Sequence, residues 1–117
     1  GFVLVSPNTT MLPVFGGVLC VGSPQGRYSA QIASNQGLPQ LNSIGQFDIN
    51  GDFVSVSGTG SSAGGFGFDV PTELPFSPVG QTIGMGSVFY FQIWYRDQIA
   101  MPGDSANFSN MLEATFP

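Results

Sequence analysis

Oxygen ligands recur at alternate positions in Asp48-Ile49-Asn50-Gly51-Asp52, a spacing that suits a calcium ion gathering roughly six to eight oxygens. Asp48, Asn50 and Asp52 are therefore the candidate metal ligands. An EF-hand-like loop would place its glycine after a third ligand and a glutamate further on, and this segment has neither. Asn50-Gly51 serves equally as a hairpin turn, because both residues tolerate positive φ; the turn is the preferred reading and calcium the alternative. A second polar group, Asp97, Asp104, Asn107 and Asn110, either converges on a cation or caps turns through backbone hydrogen bonds, as Asx side chains do. Tyr90 and Trp94 lie two strand positions apart on one side and are the candidate sugar platform. Core packing is the competing account, since large aromatics in small domains are mostly buried. Cys20, in an apolar run, reads as a small buried hydrophobe. Arg96 reads as half of a structural ion pair with Asp97 or Glu113. Paired carboxylates for glycoside hydrolysis would need a flanking cleft that so short a chain has little room to build.

Several chemistries are excluded by composition. The 117 residues contain no histidine and no lysine, which removes imidazole general acid–base work, Ser-His and Cys-His nucleophiles, the usual zinc ligands and Schiff-base catalysis. The two cations, Arg27 and Arg96, stand against seven carboxylates for a net charge of −5. Nucleic acid and anionic lipid are unexpected partners, because both are held chiefly by Lys and Arg. One cysteine forms no internal disulfide. No apolar run approaches the length of about 18 residues that a membrane-spanning helix needs.

The elements that must position these residues are strands. Seventeen glycines and nine prolines with only 8% charged residues favour short strands and turns over helices. Ser87 to Asp97 (SVFYFQIWYRD) is dense in aromatics and free of breakers, and reads as the central strand. Its pleat places Phe89, Phe91, Ile93 and Tyr95 on a wholly apolar or aromatic face and Val88, Tyr90, Gln92, Trp94 and Arg96 on a mixed one. Phe2 to Ser6 opens the chain as a strand, with turn chemistry at Pro7 to Thr10. Pro13 to Val21 is a second apolar run bent at Gly16-Gly17, and Arg27 to Ser34 alternates as a half-buried strand. Ile44 to Ile49 and Phe53 to Ser57 flank Asn50-Gly51 as a type I′ hairpin. Gly58 to Gly67 reads as a flexible loop without phosphate-binding spacing, and Phe68 to Val70 as a short strand. Pro71 to Gly86 reads as a long extended connection, Gln98 to Phe108 as a loop, and Met111 to Phe116 as a closing strand whose Leu112, Ala114 and Phe116 share a face.

FQIWYRD followed by NFSNMLEATF resembles the ending of a recurring C-terminal β-sandwich domain of large secreted, planctomycete-type bacterial proteins. Phe91, Gln92, Trp94, Tyr95, Arg96 and Asp97 match the first half of that phrase; Asn107, Ser109, Asn110, Leu112, Thr115 and Phe116 match the second. Phe15 to Gly22 is similar to the family's glycine-bracketed cysteine segment, Arg27 to the arginine that follows it, and Asp48 with Gly51 to its D-x-x-G turn. The resemblance implies secretion and a structural or adhesive accessory role, and supplies no catalytic residues. The family carries more strands ahead of the segment matching Gly1 to Ser6, so the sandwich is expected to lack an edge strand that a neighbouring chain or the rest of a parent protein fills.

The expectation is a single all-β domain over 1–117, an antiparallel β-sandwich of jelly-roll or Ig-like type with about seven or eight strands. It is expected to be secreted or on the cell surface, non-catalytic, without cofactor, and to self-associate or join its parent protein. The expected assembly edges are Phe2, Val3, Leu4 and Val5 at one end and Leu112, Ala114 and Phe116 at the other. The alternative is a carbohydrate-binding or calcium-dependent adhesion module using Tyr90 and Trp94 or the carboxylate turn. Asn8-Thr9-Thr10 and Asn107-Phe108-Ser109 are sequons, relevant only in a cell that glycosylates asparagine.

Overall fold

A computed structural model describes residues 1–28, 45–55, 73–74, 81–96 and 106–117 of the chain. These form only β-strands, all paired antiparallel: β1 (Phe2–Ser6), β2 (Thr9–Val14), β3 (Gly17–Val21), β4 (Gly26–Tyr28), β5 (Gly45–Phe47), β6 (Phe53–Ser55), β7 (Glu73–Leu74), β8 (Gln81–Thr82), β9 (Val88–Arg96), β10 (Ala106–Phe108) and β11 (Leu112–Thr115). The fold class is the expected all-β one. The strand count exceeds seven or eight because several pairs are only two or three residues long. Among the described residues no helix is long and apolar enough to cross a membrane.

The uninterrupted β-branched and aromatic run at 88–96 makes β9 the longest strand, and the main sheet is built on it in the order β10-β9-β1-β4, with β11 also on β9. β1 pairs residues 90–94 of β9 along one edge. β10 and β11 share the other edge in succession, opposite 94–96 and 88–91. Period-two alternation then sorts the side chains. Val3, Val5, Tyr28, Phe89 and Phe91 form a buried cluster with Leu74, and Ile83, Ile93, Ala114 and Phe116 pack against it. The Phe116 ring meets Phe89 at 6.2 Å and Phe91 at 6.5 Å edge-to-face. Each such large side chain contributes about 1.5–3 kcal/mol by leaving water. The β2–β3 hairpin covers the opposite face, giving the layering of a sandwich.

Several expectations are corrected. β1 is not an edge: it is hydrogen-bonded on both sides, to β9 and β4, and Val3 and Val5 are buried. Val3, Leu4 and Val5 therefore have no backbone edge to offer, because their apolar alternation was satisfied inside this sheet, and Phe2 is paired with Trp94 on the β9 side. The bend at Gly16-Gly17 is a hairpin reversal, with Val14 opposite Gly17, and Thr9 belongs to β2. The Asn50-Gly51 reversal is wider than a two-residue turn. Asp48 O accepts from Gly51 N–H, Asp48 N–H donates to Asp52 O, and Gly51 sits at φ 85°, the pattern of a turn followed by a glycine bulge. The connection before β9 contains the β7–β8 pair. The end of the supposed loop at 98–108 is β10. Gly58 to Gly67, Phe68 to Val70 and most of Arg27 to Ser34 lie outside the described residues.

Candidate functional site

The distinctive local feature of the main sheet is the junction between β10 and β11. Phe108 stands opposite Trp94 and Leu112 opposite Phe91, so four steps on one strand match three on the other. The extra residue is a β-bulge, which turns the following side chains over to the other face. Before it, Phe108 shares the mixed face with Trp94; after it, Leu112 and Ala114 share the core face with Phe91 and Phe89. Ser109 holds the break together: its N–H donates to Ile93 O and its Oγ accepts from Ile93 N–H, both at 2.9 Å. The hydroxyl in turn donates to Asn110 O at 2.8 Å.

Beside the bulge is a half-open cavity of about 290 Å³, lined by Val3, Phe91, Gln92, Ile93, Ser109, Asn110, Leu112 and Ala114. Its wall is almost wholly apolar. Leu112 is 64% exposed. Among the described residues β11 pairs only with β9, so its outer backbone groups face away from the sheet.

On the opposite face Gln92 clamps the β2–β3 hairpin. It is 2% exposed; its Oε1 accepts from Cys20 N–H, and its Nε2 donates to Val18 O and Ser109 O, each at 2.9 Å. One amide thus ties the hairpin, the central strand and the bulge together. The hairpin carries no charge from Thr9 to Gly22 and exposes Met11, Leu12, Phe15 and Val18. At its tip Phe15 takes φ 55°, the left-handed region that aromatic side chains rarely adopt.

The candidate sugar platform is interrupted. Trp94 is half-buried and stacks on Phe2 at 4.7 Å, while the Arg27 guanidinium lies 3.9 Å over the Phe2 ring; one face of Trp94 is therefore taken. Tyr90 is also half-buried, and Gln92 with its hairpin stands between the two rings. Burial of Arg27 lowers its pKa from the ordinary value.

At the carboxylate turn, Asp48 Oδ1 accepts from Asn50 N–H at 2.8 Å and Asp52 N–H at 2.9 Å. The Asp52 amide is the main cause that holds the Asp48 carboxyl below its ordinary pKa. Asp48, Asn50 and Asp52 thus organise a turn, and among the described residues no three His, Cys, Asp or Glu side chains converge as metal ligands. Asp97 and Asp104 lie outside the described residues. Asn107 Oδ1 accepts from Phe108 N–H within its own strand, and Asn110 lends its backbone oxygen to Ser109. Glu113 pairs with Tyr90, six residues along β9 from Arg96 and so about 20 Å away; it is not the partner of Arg96. Cys20 is half-buried, with Sγ 3.7 Å from Val18 O.

Comparison with known proteins adds no assignment: no family model, no curated protein and no solved structure matches this chain. Sequence reasoning missed Gln92 as a clamp and Ser109 as the bulge residue, as well as Phe15 as an exposed tip. The available signals were a lone amide within an apolar strand and an aromatic immediately before Gly-Gly.

Proposed function

We propose that this chain is a non-catalytic structural or assembly module of a secreted or cell-surface protein, joined to a neighbouring chain through the β11 side of its main sheet. The observation that carries this reading is β11 itself: an edge among the described residues, with Leu112 64% exposed beside an open apolar cavity. Unpaired edges with apolar side chains are templates for strand addition unless charge or proline protects them. Glu113 is the one charge on β11. The sequence resemblance to secreted bacterial β-sandwich domains points to the same role and to the same side of the cell envelope.

The test is the native mass by light scattering, with and without a calcium chelator. Particles well above 12.3 kDa that resist chelation support the reading. Collapse to monomer on chelation transfers the role to a bound cation. A monomer in both buffers refutes assembly and moves the search to glycan binding.

A further inference from the structure

Asn50 and Gly51 place two reactive groups side by side: the Asn50 carboxamide carbon and, one residue on, a backbone nitrogen that can close a five-membered ring on it. Glycine at the second position leaves that nitrogen unobstructed, and the space beside it is open, since a Cβ built on Gly51 would meet nothing within 4 Å. Ile49, Asn50, Gly51 and Asp52 are all exposed, so water reaches the turn. The fold restrains the reaction in two ways. Gly51 N–H donates to Asp48 O at 3.1 Å, which holds the nitrogen toward Asp48. The Asp48 carboxylate closes the turn further, accepting from Asn50 N–H at 2.8 Å and Asp52 N–H at 2.9 Å, while Asn50 Nδ2 reaches its other oxygen at 3.4 Å.

We propose that Asn50 is a site of spontaneous deamidation in the folded protein, with the Asp48 turn as the brake on its rate. Gly51 N gives up its proton to solvent and attacks Asn50 Cγ; the N–Cγ bond forms, the Cγ–Nδ2 bond breaks, and the amide nitrogen leaves as ammonia from a succinimide. One water then opens the ring. Addition at Cγ gives aspartate; addition at the Asn50 main-chain carbonyl carbon gives isoaspartate, whose backbone runs through Cβ and Cγ and is longer by one methylene. Nothing is oxidised or reduced, and water is the sole co-reactant. Because the ring closes only while Gly51 N–H is released from Asp48 O, the rate follows local opening of the turn. Either product adds a carboxylate to a chain at −5 and replaces the donor facing Asp48 Oδ2 by an acceptor. The isoaspartyl form also inserts a methylene between Phe47 and Phe53, which pair across the hairpin, and the Phe47 ring meets Tyr95 of the central strand edge-to-face at 4.9 Å. The modification thus bears on how the β5–β6 hairpin sits against β9, and is independent of the assembly reading above.

The experiment incubates the full chain at one neutral pH, folded and in guanidinium chloride, and follows the Asn50 peptide by mass spectrometry for exchange of NH by O. Chromatography separates its aspartyl and isoaspartyl forms. The folded chain is expected to convert roughly tenfold more slowly than the unfolded one, and Asp48→Ala, which removes both carboxylate bonds, to convert roughly threefold faster than the folded parent. Asn50→Gln, which would need a larger ring, should abolish the conversion. Purified isoaspartyl protein should lose exchange protection at Asp48 N–H and Gly51 N–H. If the folded parent shows no conversion at Asn50 once the unfolded chain has converted fully, the site is refuted. If folded and unfolded chains convert at one rate, or Asp48→Ala leaves the folded rate unchanged, the brake is refuted. A near-parent urea midpoint for Asp48→Ala assigns its acceleration to the turn; a midpoint low enough for global unfolding to account for the acceleration also refutes the brake.

Discussion

Replacing Gln92 by leucine keeps side-chain size nearly constant and deletes three hydrogen bonds at once. The lost partners are Cys20 N–H, Val18 O and Ser109 O, all at 2.9 Å. A typical internal hydrogen bond contributes about 0.5–1.5 kcal/mol net, and a buried group left without a partner costs about 1–3 kcal/mol. Cys20, Val18 and Ser109 are not fully buried, so water recovers part of the loss. The expected destabilisation is about 2–3 kcal/mol, or roughly 8–12 °C in Tm at the slope for a domain of this size. Urea unfolding at low micromolar concentration reads the total. Amide exchange locates it, with Cys20 N–H losing most protection.

Gln92→Glu sharpens the test through pH. An ionised carboxylate there faces the Val18 and Ser109 oxygens with no proton to donate, in a buried position. The folded protein therefore raises the introduced carboxyl's pKa above its unfolded value of about 4.3. Stability is retained below that value and lost as pH rises through the folded one, so this variant lies closest to the parent near pH 4 and furthest at neutral pH. If Gln92→Leu costs less than about 0.5 kcal/mol and leaves Cys20 exchange unchanged, the clamp is not what holds the hairpin.

Three further outcomes follow from the geometry. A Cβ at Gly22 would stand 2.8 Å from Thr9 O and 3.0 Å from its carbonyl carbon, so Gly22→Ala should lower stability by about 1–3 kcal/mol in urea melts, because backbone on both sides must move. Burial pushes the Tyr28 phenol well above its ordinary pKa near 10; its contribution is present below pH 10 and lost as pH climbs toward the folded value. Tyr28→Phe should therefore flatten the fall in urea midpoint between pH 10 and 11. Asp48 has a lowered pKa, so its turn is supported above the ordinary carboxylate range and weakens as pH falls through the folded value. The protection of Asp52 N–H against exchange, taken relative to the intrinsic rate at each pH, should fall there, and Asp48→Asn should remove that pH dependence.

The central strand was legible because nothing in 88–96 interrupts a pleat, and its two faces followed from period two alone. β1 and β11 were legible for the same reason. Their neighbours were not: an apolar strand looks alike at an edge and in the interior, and only the pairing of β1 with both β9 and β4 separates the two. β10 was hidden because Ala106-Asn107-Phe108 is too short for periodicity and follows Pro102-Gly103. The Asp48 turn was placed correctly but typed as two residues, because Asn-Gly suits both a type I′ reversal and a glycine bulge. The backbone bonds of Asp48 to Gly51 and Asp52, with Gly51 at φ 85°, decide for the bulge.

The bulge explains why one segment serves both layers. Without the extra residue between Phe108 and Leu112, the even-numbered side chains would stay on one face, and Leu112, Ala114 and Phe116 would join Trp94 and Phe108 away from the core. With it, Phe108 stands beside Trp94 under the hairpin while Ala114 and Phe116 close the core around Phe89 and Phe91. Ser109 sits at the crossover, bonded to Ile93 through both its backbone and its hydroxyl and to Gln92 through its carbonyl. Ser109, which lines the cavity, is thus held by the amide that secures the hairpin.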